Sequence, residues 1–194
     1  MSVVVDPHSR FASSVPIVVI GAGGAGATAA LAAKSAGVDV LVLERDPAPS
    51  GATARSSGMV PAAGTTAQVA RGINDSPEQF AADIQAKANG SADAVLVENY
   101  TRQAAEVLDW LTREHRIRFE LVEGIAPGHS VPRMHALADR GGATLLSSLY
   151  SALGSNGARM ETGARVTELV VDDARRVRGV RYLCLLYTSP SPRD

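Results

Sequence analysis

The chain has 194 residues, of which 45% are hydrophobic and 20% are charged, and its formal net charge is −1. This composition is typical of a soluble globular protein, and the balanced charge gives no basic surface of the kind that binds nucleic acid. No apolar run is long enough to span a membrane, and residues 1–14 lack the pattern of a signal peptide. We therefore expect a cytoplasmic protein with a short, loosely ordered extension over residues 1–14.

The first predicted elements are two strands joined by a helix. Residues 17–20 (IVVI) have the β-branched composition of a buried parallel strand. An Ala-rich helical segment then extends to Gly37, and a second apolar strand over 40–43 precedes Glu44. This order of elements is typical of dinucleotide-binding folds.

The turn after the first strand carries glycines in the G-x-G-x-x-G spacing. Gly21 allows a tight turn, Gly23 lets the backbone approach a pyrophosphate, and Gly26 lets the helix pack closely on the sheet. The free N–H groups at the start of the helix would face the phosphates, and Glu44 would accept hydrogen bonds from ribose hydroxyls. The residues expected to contact the dinucleotide here are Gly21, Gly23, Gly24, Ala25, Gly26, Glu44 and Arg45.

The rest of the chain predicts an α/β fold with a β-rich end. Ser76 and Pro77 are typical of an N-cap and the first helical position. After a loop over 45–66, we expect a helix at 76–89 and either one long helix or two short ones at 93–116. The elements expected next are a strand at 117–121, an irregular loop at 123–138, a helix at 142–153, and strands at 158–161, 166–171 and 177–182. The long, mostly helical insertion after the second strand departs from the regular alternation of a simple NAD-binding domain.

The final segment, residues 184–194 (CLLYTSPSPRD), resembles the translation of a sequencing adapter. We interpret it as an artefact and exclude it from fold reasoning; the alternative is a genuine Ser/Pro-rich disordered tail. Without this segment the chain has no cysteine, which excludes disulfides and thiol chemistry in the natural part. The natural protein is then expected to be longer than this chain.

Two patterns after the glycine turn resemble FAD-binding proteins. Ala30 and Gly37 extend the fingerprint to its longer FAD version. Residues 50–59 (SGATARSSGM) resemble the second glycine loop of the fumarate reductase/succinate dehydrogenase flavoprotein family, although Ser50 and Ser57 stand where glycine is usual. Small residues there let the backbone approach the cofactor, and hydroxyl and N–H groups can donate hydrogen bonds to it. The resemblance assigns to the cofactor Gly51, Ala52, Thr53, Ser56, Ser57, Gly58 and Met59.

A third segment, 127–142, resembles the loop of the same family that approaches flavin and substrate. It contains His129, Arg133 and His135, and Glu123 is the nearest candidate for the acidic residue that precedes the loop. His135 lies one position early, and Gly141 stands where threonine is expected. The alternative is a purely structural role, in which the histidines satisfy backbone groups and Arg133 forms a surface salt bridge.

The strand pair over 163–180 resembles the one in which this family reads adenine, with the backbone of Val166 as the reader. Covalent attachment of FAD in respiratory members uses a histidine of the second glycine loop. No histidine lies between Gly51 and Thr112, so the resemblance implies non-covalent FAD. The sequence shows no Cys/His spacing of the kind that binds metals.

The resemblance implies an incomplete, Rossmann-like FAD-binding domain over 15–183, with the ββα topology of the glutathione reductase type. It implies hydride transfer between flavin N5 and a carbon–carbon bond of a dicarboxylate-like or steroid-like small molecule, with an unknown electron partner. The family's His-Pro-Thr motif and late arginines do not occur here, so we expect this chain alone to be inactive and marginally stable. The alternatives are a 3-ketosteroid dehydrogenase-like flavoprotein, an NAD(P)-binding Rossmann dehydrogenase, and a remnant without cofactor.

Overall fold

The computed structural model describes residues 1–48 and 50–184, and the chain divides into two units. The first unit consists of Met1–Ala54 and the chain from Leu146 onward, and the second of Arg55–Leu145. Of the segment interpreted as an adapter-derived tail, residues 185–194 lie outside the described residues. Cys184 is the last residue of a strand.

Most of the helices and strands lie where the sequence predicts them. In chain order they are β1 (Ser2–Val5), β2 (Ile17–Ile20), α1 (Gly24–Ser35), β3 (Val40–Leu43), α2 (Gly51–Arg55), β4 (Val60–Pro61), α3 (Thr66–Ala70), α4 (Pro77–Lys87), α5 (Ala94–His115), β5 (Glu120–Leu121), β6 (Met134–Ala136), α6 (Gly142–Ser155), β7 (Arg159–Glu161), β8 (Ala164–Val171) and β9 (Val177–Cys184). None of the helices in the described part of the chain is both long and apolar enough to cross a membrane.

The first unit contains a parallel sheet in the order β2–β3–β7. All four residues of β3 are buried, which explains their unbroken apolar composition. Helix α1 contributes Ala27, Ala30 and Leu31 to the core, each fully buried. The predicted strand–helix–strand unit and the α/β fold class are therefore confirmed.

A second sheet of the first unit has the order β1–β8–β9. Strands β8 and β9 form the expected antiparallel pair, and β1 lies parallel to β8 from Ser2 opposite Glu168 to Val5 opposite Val171. The expectation of a loosely ordered extension was wrong for this segment. The run Ser-Val-Val-Val is short, but it pairs with β8 along its whole length. The local sequence pattern does not reveal this pairing.

The second unit contains the antiparallel sheet β4–β6–β5 and the helices α3, α4 and α5. Its core includes Ala62 and, from α5, Ala104 and Leu108. Ser76 caps α4 by accepting a hydrogen bond from Gln79 N–H, as predicted, and α5 is a single long helix.

Three local predictions in this part of the chain need correction. The strand expected at 117–121 is limited to Glu120–Leu121. The loop expected at 123–138 contains β6, because Met134–Ala136 pairs with both β4 and β5. The loop expected at 45–66 contains two short elements, α2 and β4. Segments this short have too little periodicity to be recognised in a sequence.

Candidate functional site

The turn after β2 requires two glycines of the fingerprint, Gly21 for its backbone conformation and Gly26 for a close backbone contact. Gly21 has a φ of +91°, which favours glycine, and its N–H donates to the carbonyl of Leu43 at 2.8 Å. A Cβ on Gly26 would lie 2.0 Å from the carbonyl oxygen of Gly21 and 3.2 Å from Val19 Cγ1. The close approach of helix and strand that the sequence predicts at Gly26 is therefore confirmed by the geometry.

The start of α1 has the properties of an anion site. Its N-cap, Gly23, offers no side-chain cap, and the first turn contains no acidic residue. The positive end of the helix is thus not neutralised by a carboxylate of its own first turn. Thr53 Oγ1 accepts a hydrogen bond from Gly24 N–H at 3.0 Å. This contact brings the second glycine loop to the amino end of α1, as the resemblance implies, and these residues fit a pyrophosphate.

Glu44 lies directly after β3 and is joined to the glycine turn. Its Oε2 accepts a hydrogen bond from Ala22 N–H at 2.7 Å, and its Oε1 accepts one from Asp46 N–H at 2.9 Å. A carboxylate has about four acceptor positions, so two bonds leave capacity for ribose hydroxyls. The predicted ribose contact is compatible with this geometry.

Tyr150, on α6, is a residue of this site that the sequence did not reveal. Its hydroxyl donates to the carbonyl of Ala22 at 2.8 Å. Burial raises the pKa of Tyr150, and the negative charges of Glu44 and Asp46 raise it further. The partners are separated by 128 positions, and Tyr150 belongs to an ordinary helical pattern, so no motif indicates the contact.

The first half of the second glycine loop forms the short helix α2. Gly51 begins it with a φ of +82°, and Ala52 is exposed. Arg45 is also exposed and forms an ion pair with Asp46, Nε to Oδ1, at 2.9 Å. The hydroxyl of Ser50 donates to the Asp46 carboxylate. Ser50, which replaces the usual glycine, thus serves to hold the loop.

The second half of this loop, residues 56–59, belongs to the second unit. A Cβ on Gly58 would lie 2.9 Å from the carbonyl carbon and oxygen of Gly141, and its φ is +62°. The N–H of Gly142, the first residue of α6, donates to the carbonyl of Ser56 at 3.0 Å. Ser57 is exposed and Met59 is half-buried. Gly58 is therefore a glycine because another backbone passes against it.

Val166 lies in β8, opposite Tyr182 of β9. Its side chain packs against the buried cluster of Leu41, Leu43 and Ala164. A register shift in the β8–β9 pairing follows it directly, between Val166 and Glu168. Because the side chain of Val166 packs in the core, the predicted contact with adenine would be made by its backbone.

Arg133 is fully buried in the second unit and forms ion pairs with two aspartates. Its Nη2 lies 2.7 Å from Asp75 Oδ1, and its Nη1 lies 2.5 Å from Asp83 Oδ2. A further hydrogen bond joins its Nε to Asp75 Oδ2 at 3.0 Å, and its guanidinium carbon lies 4.5 Å from the ring centroid of Phe80. The surface salt bridge considered for Arg133 was wrong, because the pairs are buried.

The two histidines of the predicted substrate loop differ in their surroundings. His135 is buried; its Nδ1 lies 2.9 Å from the carbonyl oxygen of Arg133, and its Nε2 lies 2.9 Å from the hydroxyl of Thr65. Because a carbonyl only accepts, Nδ1 carries the proton in the neutral ring. Burial lowers the pKa of His135. His129 is half-buried, with Nδ1 3.4 Å from Arg133 Nη1, and Glu123 is exposed.

Comparison with known proteins identifies this arrangement. A model of the FAD binding domain family matches residues 16–192. The fumarate reductase (cytochrome) of Shewanella frigidimarina is 30% identical over 177 residues, which are 90% of this chain and 30% of that protein. The structure of the open conformation of a flavocytochrome c3 fumarate reductase matches with a TM-score of 0.81 and 29% identity, over 90% of this chain and 31% of that one.

A steroid enzyme is also similar. The 3-ketosteroid-Δ4-(5α)-dehydrogenase from Rhodococcus jostii RHA1, in complex with 4-androstene-3,17-dione, matches with a TM-score of 0.76 and 28% identity, over 91% of this chain and 43% of that one. The chain spans about 30% of the length of the fumarate reductases that it matches. Because the family model covers nearly the whole chain, the chain belongs to the FAD binding domain family.

Proposed function

We propose that this chain is the FAD-binding portion of an oxidoreductase that moves a hydride between flavin N5 and a substrate carbon–carbon bond. The observation that carries the proposal is the amino end of α1, which follows the Gly21 turn, has no acidic residue in its first turn and lies beside Thr53. Flavin supplies the redox chemistry of such enzymes, and the protein supplies binding and orientation. The match to the FAD binding domain family favours FAD over NAD(P).

In this proposal, different residues of the described chain bind different parts of the cofactor. The backbone from Gly23 to Gly26 binds the pyrophosphate, and Glu44 binds the adenosine ribose. The backbone of Val166 reads adenine, since β1 covers the edge of β8 only from Glu168 to Val171. We retain residues 51–59 and Arg45 as further cofactor contacts on the ground of the family resemblance alone.

The substrate-side proposals change with the structure. Glu123 and His129 stay candidates for contact with substrate. Arg133 has carboxylates on all three of its nitrogens, and both ring nitrogens of His135 have protein partners. We therefore assign structural roles to these two side chains. No residue of this chain is proposed to transfer the proton, so the chain alone is expected to bind FAD without turnover.

A dicarboxylate-like substrate is the first proposal and a steroid-like one the second. The fumarate reductases favour the first. The similarity to the ketosteroid dehydrogenase and the Gly-Ala-Thr-Ala run at 51–54 favour the second. Cytoplasmic location and the electron partner stay predictions.

The cofactor proposal is tested by titrating the purified chain with FAD. We expect saturable binding, with a visible flavin spectrum after gel filtration. Acid precipitation should then release all the flavin into the supernatant, because the second glycine loop contains no histidine. Colourless protein that binds NADH instead would overturn the proposal, and yellow precipitate would overturn non-covalent binding.

The inactivity of the chain is tested on the reduced, FAD-loaded protein under anaerobic conditions. Fumarate and 4-androstene-3,17-dione should reoxidise the flavin no faster than buffer does. The absorbance of the flavin band, followed in a sealed cuvette, measures the rate of reoxidation with each compound and in buffer. Rapid, saturable reoxidation by either compound would show that this chain does contain the catalytic groups.

A further inference from the structure

Ala22 lies at the centre of the glycine turn and is fully buried. It separates Gly21, whose N–H donates to the carbonyl of Leu43, from Gly23, the N-cap of α1. A buried peptide group needs hydrogen-bond partners. The turn leaves the sheet at this point, so the ladder between β2 and β3 ends before it.

Both polar backbone groups of Ala22 are satisfied by side chains. Its N–H donates to Glu44 Oε2 at 2.7 Å, and its carbonyl accepts from the hydroxyl of Tyr150 at 2.8 Å. Glu44 therefore fixes the peptide before Ala22, and Tyr150 fixes the peptide after it. One turn residue is oriented by two side chains from different parts of the chain.

The peptide that Tyr150 fixes also contains the N–H of Gly23. In a planar trans peptide the C=O and N–H bonds point in opposite directions. A hydrogen bond that holds the carbonyl of Ala22 toward Tyr150 therefore directs the N–H of Gly23 to the other side. Within the described residues, no group accepts a hydrogen bond from this N–H.

Tyr150 is well suited to hold this orientation. It lies on α6, whose neighbouring residues Leu146, Leu149 and Leu153 are almost completely buried, so a packed helix sets the position of its ring. Burial, together with the charges of Glu44 and Asp46, raises its pKa. The phenol thus keeps its proton, and remains a donor, across the neutral pH range.

We propose that Tyr150 is a positioning residue for the dinucleotide, which aims the N–H of Gly23 at the pyrophosphate through the carbonyl of Ala22. This inference rests on the proposed function, since the pyrophosphate is the group that would accept from Gly23. It predicts a selective effect on ligands that carry phosphate, because Tyr150 acts on this peptide alone.

The test is the variant Tyr150→Phe, which keeps the ring and removes the hydroxyl. The loss of this partly buried hydrogen bond should weaken the binding of FAD and of ADP by about fivefold to tenfold. Adenosine, which has no phosphate, should bind to wild type and variant within about twofold. Calorimetric titration with the three compounds measures these ratios. A merely structural role would weaken adenosine binding as much as ADP binding.

Tyr100→Phe is the matched control. The hydroxyl of Tyr100 also donates to a backbone carbonyl, that of Pro61, at 2.7 Å, but outside the glycine turn. This variant should lose a comparable amount of stability and keep its ADP affinity. Circular dichroism establishes at which temperatures each variant is folded, and the titrations are done there.

The outcomes separate the two claims. Failure of the wild-type chain to bind FAD or ADP would overturn the proposed function. A wild-type chain that binds both, with a Tyr150→Phe variant of equal ADP affinity, would overturn the role of Tyr150 and leave the proposed function standing. A double variant with Glu44→Ala gives a second measurement: if both side chains act through Ala22, their effects on ADP affinity should be non-additive.

Discussion

Gly26 shows how a single missing side chain can determine a site. Its hypothetical Cβ would overlap the backbone carbonyl oxygen of Gly21, so any side chain at this position would force the two backbones apart. The sequence pattern predicted this requirement, because the spacing of the glycines is fixed by the geometry of the turn.

We predict that Gly26→Ala will lower the free energy of unfolding by about 1–3 kcal/mol or more and weaken FAD binding at least about tenfold. The matched control is Gly154→Ala, since Gly154 is also helical and nothing lies within 4 Å of its Cβ position. That variant should be neutral or stabilised by up to about 1 kcal/mol. Chemical denaturation and FAD titration measure both. Equal behaviour of the two variants would contradict the steric argument.

Arg133 shows what sequence reasoning misses at the same scale. A motif can place an arginine in a loop, but its burial and its pairing with Asp75 and Asp83 depend on where α4 packs. Breaking a buried ion pair from one side leaves uncompensated charge. The resemblance therefore singled out Arg133 but gave no access to its surroundings.

We predict that Arg133→Ala will lower the free energy of unfolding by about 3–5 kcal/mol. Arg102→Ala is the control, since Arg102 forms exposed ion pairs with Glu78 and Glu98 and should cost less than about 1 kcal/mol. Urea denaturation of both variants measures the difference. The buried role of Arg133 would be wrong if the two costs were equal.

At the scale of elements, long and strongly patterned segments were predictable and short ones were not. The Ser76–Pro77 start of α4 and the buried strand β3 follow from local chemistry. Helix α3, by contrast, has five residues and relies on a capping box between Thr65 and Gln68. Short elements of this kind form because tertiary contacts hold them, not because of their own propensity.

Strand β1 gives a test of such a contact. Proline at Val4 removes a backbone donor from the pairing with β8, where Val4 lies opposite Val170. We predict faster amide exchange over residues 168–171 in Val4→Pro. Val3→Thr, which changes an exposed side chain and keeps the N–H, should retain the wild-type protection. Hydrogen exchange followed by mass spectrometry measures both. Unchanged protection in Val4→Pro would show that β1 does not stabilise β8.

At the scale of the whole molecule, stability should depend on pH through the buried histidine of the second unit. Burial lowers the pKa of His135 in the folded state, so the unfolded chain takes up a proton that the folded chain does not. The stabilisation is fully present above the unfolded pKa of about 6.5 and is lost as pH falls through the lower folded value.

We predict that the free energy of unfolding will fall between about pH 7 and about pH 5, and that His135→Gln will reduce the slope. The pKa of His129 is also lowered by burial, so part of the slope should remain. His8→Gln is the control, because His8 is exposed. Denaturant titrations across this range measure the slopes. An identical slope in His135→Gln and wild type would contradict the assignment.

The sequence by itself determined the strand–helix–strand unit, the glycine turn and the acidic residue after β3, because each depends on residues close together along the chain. Hydrophobic period, helix caps and the steric needs of a turn are local properties. The family resemblance extended this to FAD through further local patterns.

Only the tertiary structure decided the surroundings of those residues. It paired β1 with β8, buried Arg133 between two aspartates, and brought Tyr150 to the carbonyl of Ala22. These contacts join segments up to 166 positions apart, as between Ser2 and Glu168 in the sheet register of β1 and β8. Partners of this kind are selected by packing and by the need to satisfy buried polar groups, and neither leaves a periodic trace in the sequence.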